Sequence, residues 1–174
     1  MAASSWVEDP DNLDCTITDG NQLDCDFGDM ASGASETVTV KAPIYCTRAA
    51  VPHLRKKGAG AVINITSAAA YTAMGSSVIY CAAKAALASI TKSLARSLAP
   101  EIRVNAIAPG FVDTGFVNWS PEVLAHLKRK TRLGRPVVAE DIADAAVFLA
   151  ADANASTGQT ILVDGGVVAL GPNA

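Results

Sequence analysis

The sequence predicts an α/β fold in which a parallel β-sheet is flanked by helices, with a short β-rich appendage at the N-terminus. From residue 41 onward, helices with an apolar stripe alternate with short β-branched runs, the order expected of strand-helix-strand units. Before residue 41, apolar and polar residues alternate over short lengths, which indicates antiparallel strands. We therefore divide the chain into an appendage, 1–40, and an α/β domain, 41–174; its 174 residues, 50% of them hydrophobic, suffice for one core.

Three short runs in the appendage have an apolar residue at every second position. These positions are Leu13, Cys15 and Ile17, then Leu23, Cys25 and Phe27, then Val38 and Val40. Turn-forming residues at 19–21 and 28–30 separate the runs. Cys15 and Cys25 fall on neighbouring predicted strands and could form a disulfide in an exported protein, whereas in a reducing cytoplasm they would be buried apolar groups.

The α/β part begins with a helix over 41–57, because Ile44, Thr47, Val51 and Leu54 repeat at three and four residues. Strands are predicted at 61–65, 102–107 and 160–163, and further helices at 77–98, 121–130 and 139–150. Pro100 stops the longest of these helices. This order implies right-handed crossovers and a parallel sheet covered on both faces.

Composition and charge exclude several classes of function. The net charge is −3 and the longest block of like charge is Lys128 to Lys130, so nucleic acid is not an expected partner. We find no signal-peptide pattern and no uninterrupted apolar run that would span a membrane, and we predict a cytoplasmic protein. The four cysteines form no CxxC pair and the two histidines lie far apart, so we expect no metal site.

The stretch TSAAAYTAMGSSVIYCAAK, residues 66–84, carries the candidate chemistry. Tyr80 and Lys84 lie four residues apart and so share one face of a helix, where the ammonium stabilises a phenolate and makes the tyrosine usable as an acid or base. Ser67 follows a buried strand, so its hydroxyl is expected at the crevice where parallel strands end. Taken alone, a tyrosine and lysine at this spacing are more often part of an ordinary amphipathic helix.

Serine, tyrosine thirteen residues later and lysine four further on resemble the signature of the classical short-chain dehydrogenase/reductase family. The segments 48–54, 58–67, 103–114 and 157–166 also resemble their counterparts there, so the resemblance covers about 40–168. It implies a Rossmann-like sheet, NAD or NADP as hydride carrier, and a small carbonyl or alcohol substrate. It also implies that Tyr80 is the proton donor or acceptor, that Ser67 orients the substrate, and that Tyr80 and Lys84 contact the nicotinamide ribose.

The same resemblance extends to the run from Pro109 to Thr114. It implies that Pro109, Gly110, Val112 and Thr114 lie against the nicotinamide and phosphates of the cofactor. Read without the resemblance, proline and glycine at 109–110 predict only a turn after a strand.

Members of this family begin with a GxxxGxG turn that holds the cofactor pyrophosphate, and no glycines stand at that spacing here. Thr39 also stands where the family has a supporting asparagine. Residues 12–40 instead resemble the end of a β-sandwich repeat of bacterial surface proteins. The chain therefore looks like a truncated, chimeric family member, with cofactor binding impaired and the choice between NAD and NADP undecided.

Three functions follow from these observations. The first is oxidoreductase chemistry at Tyr80; the second is a cofactor-independent, esterase-like hydrolase that uses Ser67, Tyr80 and Lys84; the third is a non-catalytic oligomerising remnant. A sheet that starts at 61–65 would expose one strand edge, so we expect a strand from 13–40, or a second copy, to cover it. Helices 41–57 and 77–98 match dimer surfaces of the family, and we predict a homo-oligomer.

Overall fold

The computed structural model describes residues 14–18, 22–26, 41–56, 58, 60–75, 77–114 and 120–171. Its strands are β1 (Asp14–Thr18), β2 (Gln22–Asp26), β3 (Gly60–Ile65), β4 (Ile102–Pro109), β5 (Val112–Asp113), β6 (Val137–Val138) and β7 (Thr160–Val163). Its helices are α1 (Lys41–Lys56), α2 (Ala69–Thr72), α3 (Val78–Leu98), α4 (Pro121–Lys130), α5 (Ala139–Val147) and α6 (Val167–Leu170), with a π-helical turn at Phe148–Asp152.

The main sheet has the order β3-β4-β7, and all three strands run parallel. Its central strand, β4, is a near-continuous run of buried residues in which Val104, Ala106, Ile107 and Ala108 have no exposed surface. Such a run is typical of a parallel strand covered on both faces. The predicted parallel sheet and its three strands are confirmed.

Helices cover both faces of this sheet, as predicted. On one face, Leu94 and Leu98 of α3 pack with Val104 of β4 and with residues of α1. On the other, Leu149 of the π-helical turn packs on Ile107, together with residues of α5. The helix predicted over 139–150 ends at Val147 and continues as the π-helical turn. Arg103 donates hydrogen bonds to the carbonyls of residues 149 and 150 in this turn and of residue 153 just after it.

The appendage contains the antiparallel pair that alternation predicted. β1 and β2 pair with each other, and their register places Cys15 directly opposite Cys25. The third run, with Val38 and Val40, lies outside the described residues. β1 and β2 form their own two-stranded sheet, so neither of them covers the outer edge of β3, whereas cover by the third run or by a second copy stays a prediction.

Among the described residues, no strand pairs with the outer edge of β3. The amides of Gly60 and Thr66 donate to Glu101 and Ile107 on the β4 side, so the amides of residues 61, 63 and 65 point the other way. In the part of the chain that the structure describes, the partner at this outer edge is the Lys84 ammonium, which donates to the Ile65 carbonyl at 3.0 Å. β3 therefore has an edge that accepts a further strand.

Helix α3 is the one described element that is long and apolar enough to cross a membrane by length and composition alone. Buried core helices share that property, and the second half of α3 packs into the core through five buried residues. They are Leu87, Thr91, Leu94, Ala95 and Leu98. Thr91 also accepts a 3.0 Å hydrogen bond from the buried Asn64 amide, which fixes α3 against β3.

The start of α5 provides a prediction for the pH dependence of stability. Asp141 accepts two hydrogen bonds from Arg135, at 2.7 and 2.8 Å, and one from the Val138 amide at 2.9 Å. These bonds lower the pKa of Asp141 from 3.8 to about 2. Since the folded state favours the carboxylate, its stabilising effect is present above pH 3.8 and is lost as the pH falls through about 2.

We therefore expect Asp141→Asn to lower the melting temperature at pH 6 and to have a much smaller effect near pH 2. Melting curves from pH 7 to pH 2 measure the difference between the two proteins, which should shrink below about pH 4. Asp144→Asn, on the same helix, is the control and should show a difference that does not follow this profile. A pH-independent effect of Asp141→Asn would contradict the role assigned to the ion pair.

Candidate functional site

The carboxyl ends of the three parallel strands meet at one edge of the sheet, and backbone hydrogen bonds join the segments that follow them. The amide of Ala68 donates to the Pro109 carbonyl at 2.7 Å. The amide of Gly110 donates to the Val163 carbonyl at 2.9 Å. These hydrogen bonds join the carboxyl ends of β3, β4 and β7 into one backbone frame. Ligand sites in open parallel sheets usually lie at this edge.

Helix α3 brings two of the candidate residues to this edge. Ser77 caps the helix by accepting a hydrogen bond from the Tyr80 amide, and the Lys84 ammonium lies 5.8 Å from the centre of the Tyr80 ring. Lys84 also binds the Ile65 carbonyl, the last of β3 and two residues before Ser67. The tyrosine is 38% exposed, so solvent and small molecules reach it.

Ser67 is half-buried between β3 and α2. Its oxygen accepts a 3.1 Å hydrogen bond from the Ala69 amide, which leaves the hydroxyl proton able to donate to a bound oxygen. Among the described residues, no hydrogen bond joins Ser67 to Tyr80 or Lys84. The arrangement suits a hydroxyl that holds a substrate rather than a nucleophile activated by a neighbouring base.

The four residues predicted to contact a cofactor take different positions. Pro109 ends β4 and Gly110 follows it, with its amide already bound to Val163. Val112 lies in β5, opposite Val137 of β6, and Thr114 is exposed just beyond this strand. The Gly110 amide is therefore occupied within the protein, and its backbone forms part of the frame.

Asp164 is a buried residue that sequence reasoning missed. It is 5% exposed, and its carboxylate accepts hydrogen bonds from the amides of Gly166 and Val168, at 2.8 and 2.7 Å. A methyl group at Gly110 would stand 2.8 Å from both Cα and Cβ of Asp164, so this close approach requires glycine. The available signal in the sequence was an aspartate followed by two glycines, because glycine favours turns with positive φ. In the structure, both glycines have positive φ.

A cavity of about 450 Å³ lies beside the end of β7. Its lining includes Arg135, Asp141 and Asp164, but none of Ser67, Tyr80 and Lys84. All three of these lining residues already have hydrogen-bond partners within the protein. The candidate catalytic residues therefore lie outside this cavity, at the open edge of the sheet near the end of β3.

Comparison with known proteins agrees with this arrangement. Residues 24–168 match the family model described as enoyl-(acyl carrier protein) reductase. The chain is 42% identical over 134 residues to short-chain dehydrogenase/reductase SDRA of Arabidopsis thaliana, covering 75% of this chain and 52% of that protein. It is 40% identical over 133 residues to tropinone reductase-like 3 of Erythroxylum coca, covering 74% and 51%.

A solved structure gives the same result for the fold. A Burkholderia xenovorans protein described as a short-chain dehydrogenase/reductase superposes with a TM-score of 0.68 and 40% identity, over 76% of this chain and 52% of that one. This chain thus spans about half the length of the relatives it matches. The family match begins at residue 24, inside the segment that resembles a β-sandwich repeat, so that resemblance and the boundary at residue 40 stay predictions.

Proposed function

The chain belongs to the short-chain dehydrogenase/reductase family, and on this premise we propose that it carries the proton-transfer half of an oxidoreductase site for carbonyl and alcohol groups. The observation that carries the proposal is the position of Lys84, whose ammonium lies 5.8 Å from the Tyr80 ring and binds the strand carbonyl two residues before Ser67. In this proposal, one helix face supplies an acid and an ammonium, and one strand end supplies a hydroxyl, to the same substrate.

In the reduction direction, the Tyr80 hydroxyl gives its proton to the substrate oxygen. In the oxidation direction, the Tyr80 phenolate takes the proton back from the alcohol. The Ser67 hydroxyl donates a hydrogen bond that holds this oxygen. A bound nicotinamide would supply the hydride that adds to the carbonyl carbon, or accept it in reverse. The Lys84 ammonium lies 5.8 Å from the centre of the Tyr80 ring, so the phenolate left on Tyr80 has a positive charge near it.

Lys84 and Tyr80 on α3 carry donors that suit the ribose end of a nicotinamide cofactor. An ammonium has three protons, and Lys84 uses one on the Ile65 carbonyl, so two are available for ribose hydroxyls. The sequence contains no GxxxGxG run for the pyrophosphate, and the amide of Gly110 is occupied. We propose that this chain binds NAD or NADP weakly, through Lys84 and Tyr80, with Val112 and Thr114 beside the nicotinamide.

Titration of NADH and of NADPH against the chain, followed by nicotinamide fluorescence, tests this proposal. Saturable binding that Lys84→Ala weakens and Lys92→Ala leaves unchanged would support it, because Lys92 lies on the same helix two turns further along. Equal binding by the wild type and Lys84→Ala would contradict the assigned contact.

The hydrolase has less support, because the described hydrogen bond of Ser67 comes from a backbone amide and not from a base. Cleavage of an activated ester without cofactor, abolished by Ser67→Ala, would favour the hydrolase over the oxidoreductase.

We also propose that the chain forms a homo-oligomer. The support is a group of exposed apolar side chains near the free edge of β3 and the start of α3. They are Ile65, Tyr71, Met74, Val78 and Ile79. Val78 is 86% exposed, and apolar side chains that are exposed together mark contact surfaces. A cytoplasmic location stays a prediction.

Sedimentation velocity tests this second proposal. The wild type should sediment as an oligomer, and Val78→Lys should shift it towards the monomer. Leu133→Lys changes a leucine outside this group that is 70% exposed, and it is the control. A wild type that is monomeric at all concentrations would contradict the proposal and leave the oligomerising remnant without support.

A further inference from the structure

The segment between α2 and α3 contains a glycine in close contact with both helices. A methyl group built at Gly75 would stand 2.9 Å from Cys81 Sγ, 3.0 Å from Tyr80 Cδ1 and 3.1 Å from Ala69 Cβ. Gly75 does not have a positive φ, so glycine is not needed there for backbone conformation. The close approach of three neighbours accounts for it.

These neighbours belong to the two elements that carry the candidate catalytic groups. Ala69 begins α2, and its amide donates to the hydroxyl of Ser67. Tyr80 lies in the first turn of α3, and its amide donates to the Ser77 cap. The hydrogen atom of Gly75 is thus in contact with the ring of the proposed acid on one side and with the residue that holds the serine on the other.

We infer that Gly75 is a positioning residue for this site, because its missing side chain sets how closely the Tyr80 ring approaches the segment that carries Ser67. Ala69 Cβ is fixed to the backbone, so it cannot rotate away from an added methyl group. The Tyr80 ring can rotate, and an alanine at position 75 displaces it. The displacement of the Tyr80 ring by the added methyl group depends on packing alone, whereas the effect of this displacement on turnover rests on the proposed function.

The variant Gly75→Ala tests the inference through the Tyr80 ring itself. In protein labelled with ¹³C-tyrosine, the ring signals of Tyr80 are assigned by their loss in Tyr80→Phe. We expect Gly75→Ala to shift these signals and to leave those of Tyr45, on α1, in place. Met74→Ala changes the exposed neighbour in the same segment and should shift them much less.

A second substitution separates local displacement from general damage. Ala69→Gly removes the methyl group that lies 3.1 Å from the new one, so Gly75→Ala combined with Ala69→Gly should return the Tyr80 signals towards their wild-type positions. Unchanged Tyr80 signals in Gly75→Ala, or displaced signals that Ala69→Gly does not restore, would overturn the inference.

Turnover gives an independent readout. If the wild type reduces a carbonyl substrate, Gly75→Ala should lower kcat on the order of tenfold to a hundredfold with a smaller change in KM, the effect of misplacing an acid by a fraction of an ångström to one ångström. The double variant should recover part of kcat. Displaced signals in a protein without turnover would contradict the proposed function while supporting the positioning role; full turnover in Gly75→Ala would contradict that role.

Discussion

Tyr80→Phe should lower NAD(P)H-dependent carbonyl reduction by roughly two to four orders of magnitude, the contribution of a positioned general acid. The substitution removes one oxygen and leaves the aromatic ring, its contacts with Gly75 and the Ser77 cap in place. The fold should therefore persist, so the loss would report on proton transfer. Absorbance of the reduced nicotinamide at saturating carbonyl substrate measures it.

Tyr45→Phe is the matched control, since it makes the same chemical change on α1 and should leave turnover unchanged. Nicotinamide binding should weaken only slightly in Tyr80→Phe, because Lys84 keeps its ammonium and its contact with Ile65. Turnover that survives Tyr80→Phe would contradict the proposed role of Tyr80 as the general acid. Cofactor-free ester cleavage that disappears with the same substitution would favour the hydrolase.

The three strands of the main sheet were predictable from short β-branched runs, and the four longer helices, α1, α3, α4 and α5, from their sequence patterns; α2 and α6, with four residues each, were missed. β4 has eight residues, six of them buried, and α3 continues its apolar stripe over five turns. β5 and β6 have two residues each, so no period distinguishes them from loops. The π-helical turn was also missed, and its contacts with Arg103 of β4 join two elements that are far apart in sequence, so no local pattern shows them.

The candidate site also has features that the sequence predicted and features that it did not. Tyr80 and Lys84 were predictable as neighbours because helical spacing alone places them on one face. The engagement of the Gly110 amide with Val163 was not, since it depends on how the ends of β4 and β7 are aligned in the sheet. Gly75 gave no signal either, because its contacts form only when α2 packs against the first turn of α3.

Leu149→Ala should have the largest effect on stability and lower the free energy of unfolding by about 2–5 kcal/mol, the range for removing a buried leucine side chain. Leu149 is 1% exposed and packs with Ile107 and Ala153 on the face of the sheet opposite α3. Its carbonyl also accepts a 2.7 Å hydrogen bond from Arg103, which restricts how far the π-helical turn can move to fill the cavity. Urea unfolding followed by circular dichroism measures the change.

Leu133→Ala provides the comparison, because Leu133 is 70% exposed and its truncation should change the free energy of unfolding by less than about 0.5 kcal/mol. Leu149 supports β4 from behind, and β4 ends at Pro109, whose carbonyl binds the segment of Ser67. A loss from Leu149→Ala as small as that from Leu133→Ala would mean that this face of the sheet contributes little to folding. A loss in the expected range would mean that the packing of the π-helical turn against β4 stabilises the strand that leads to the candidate site.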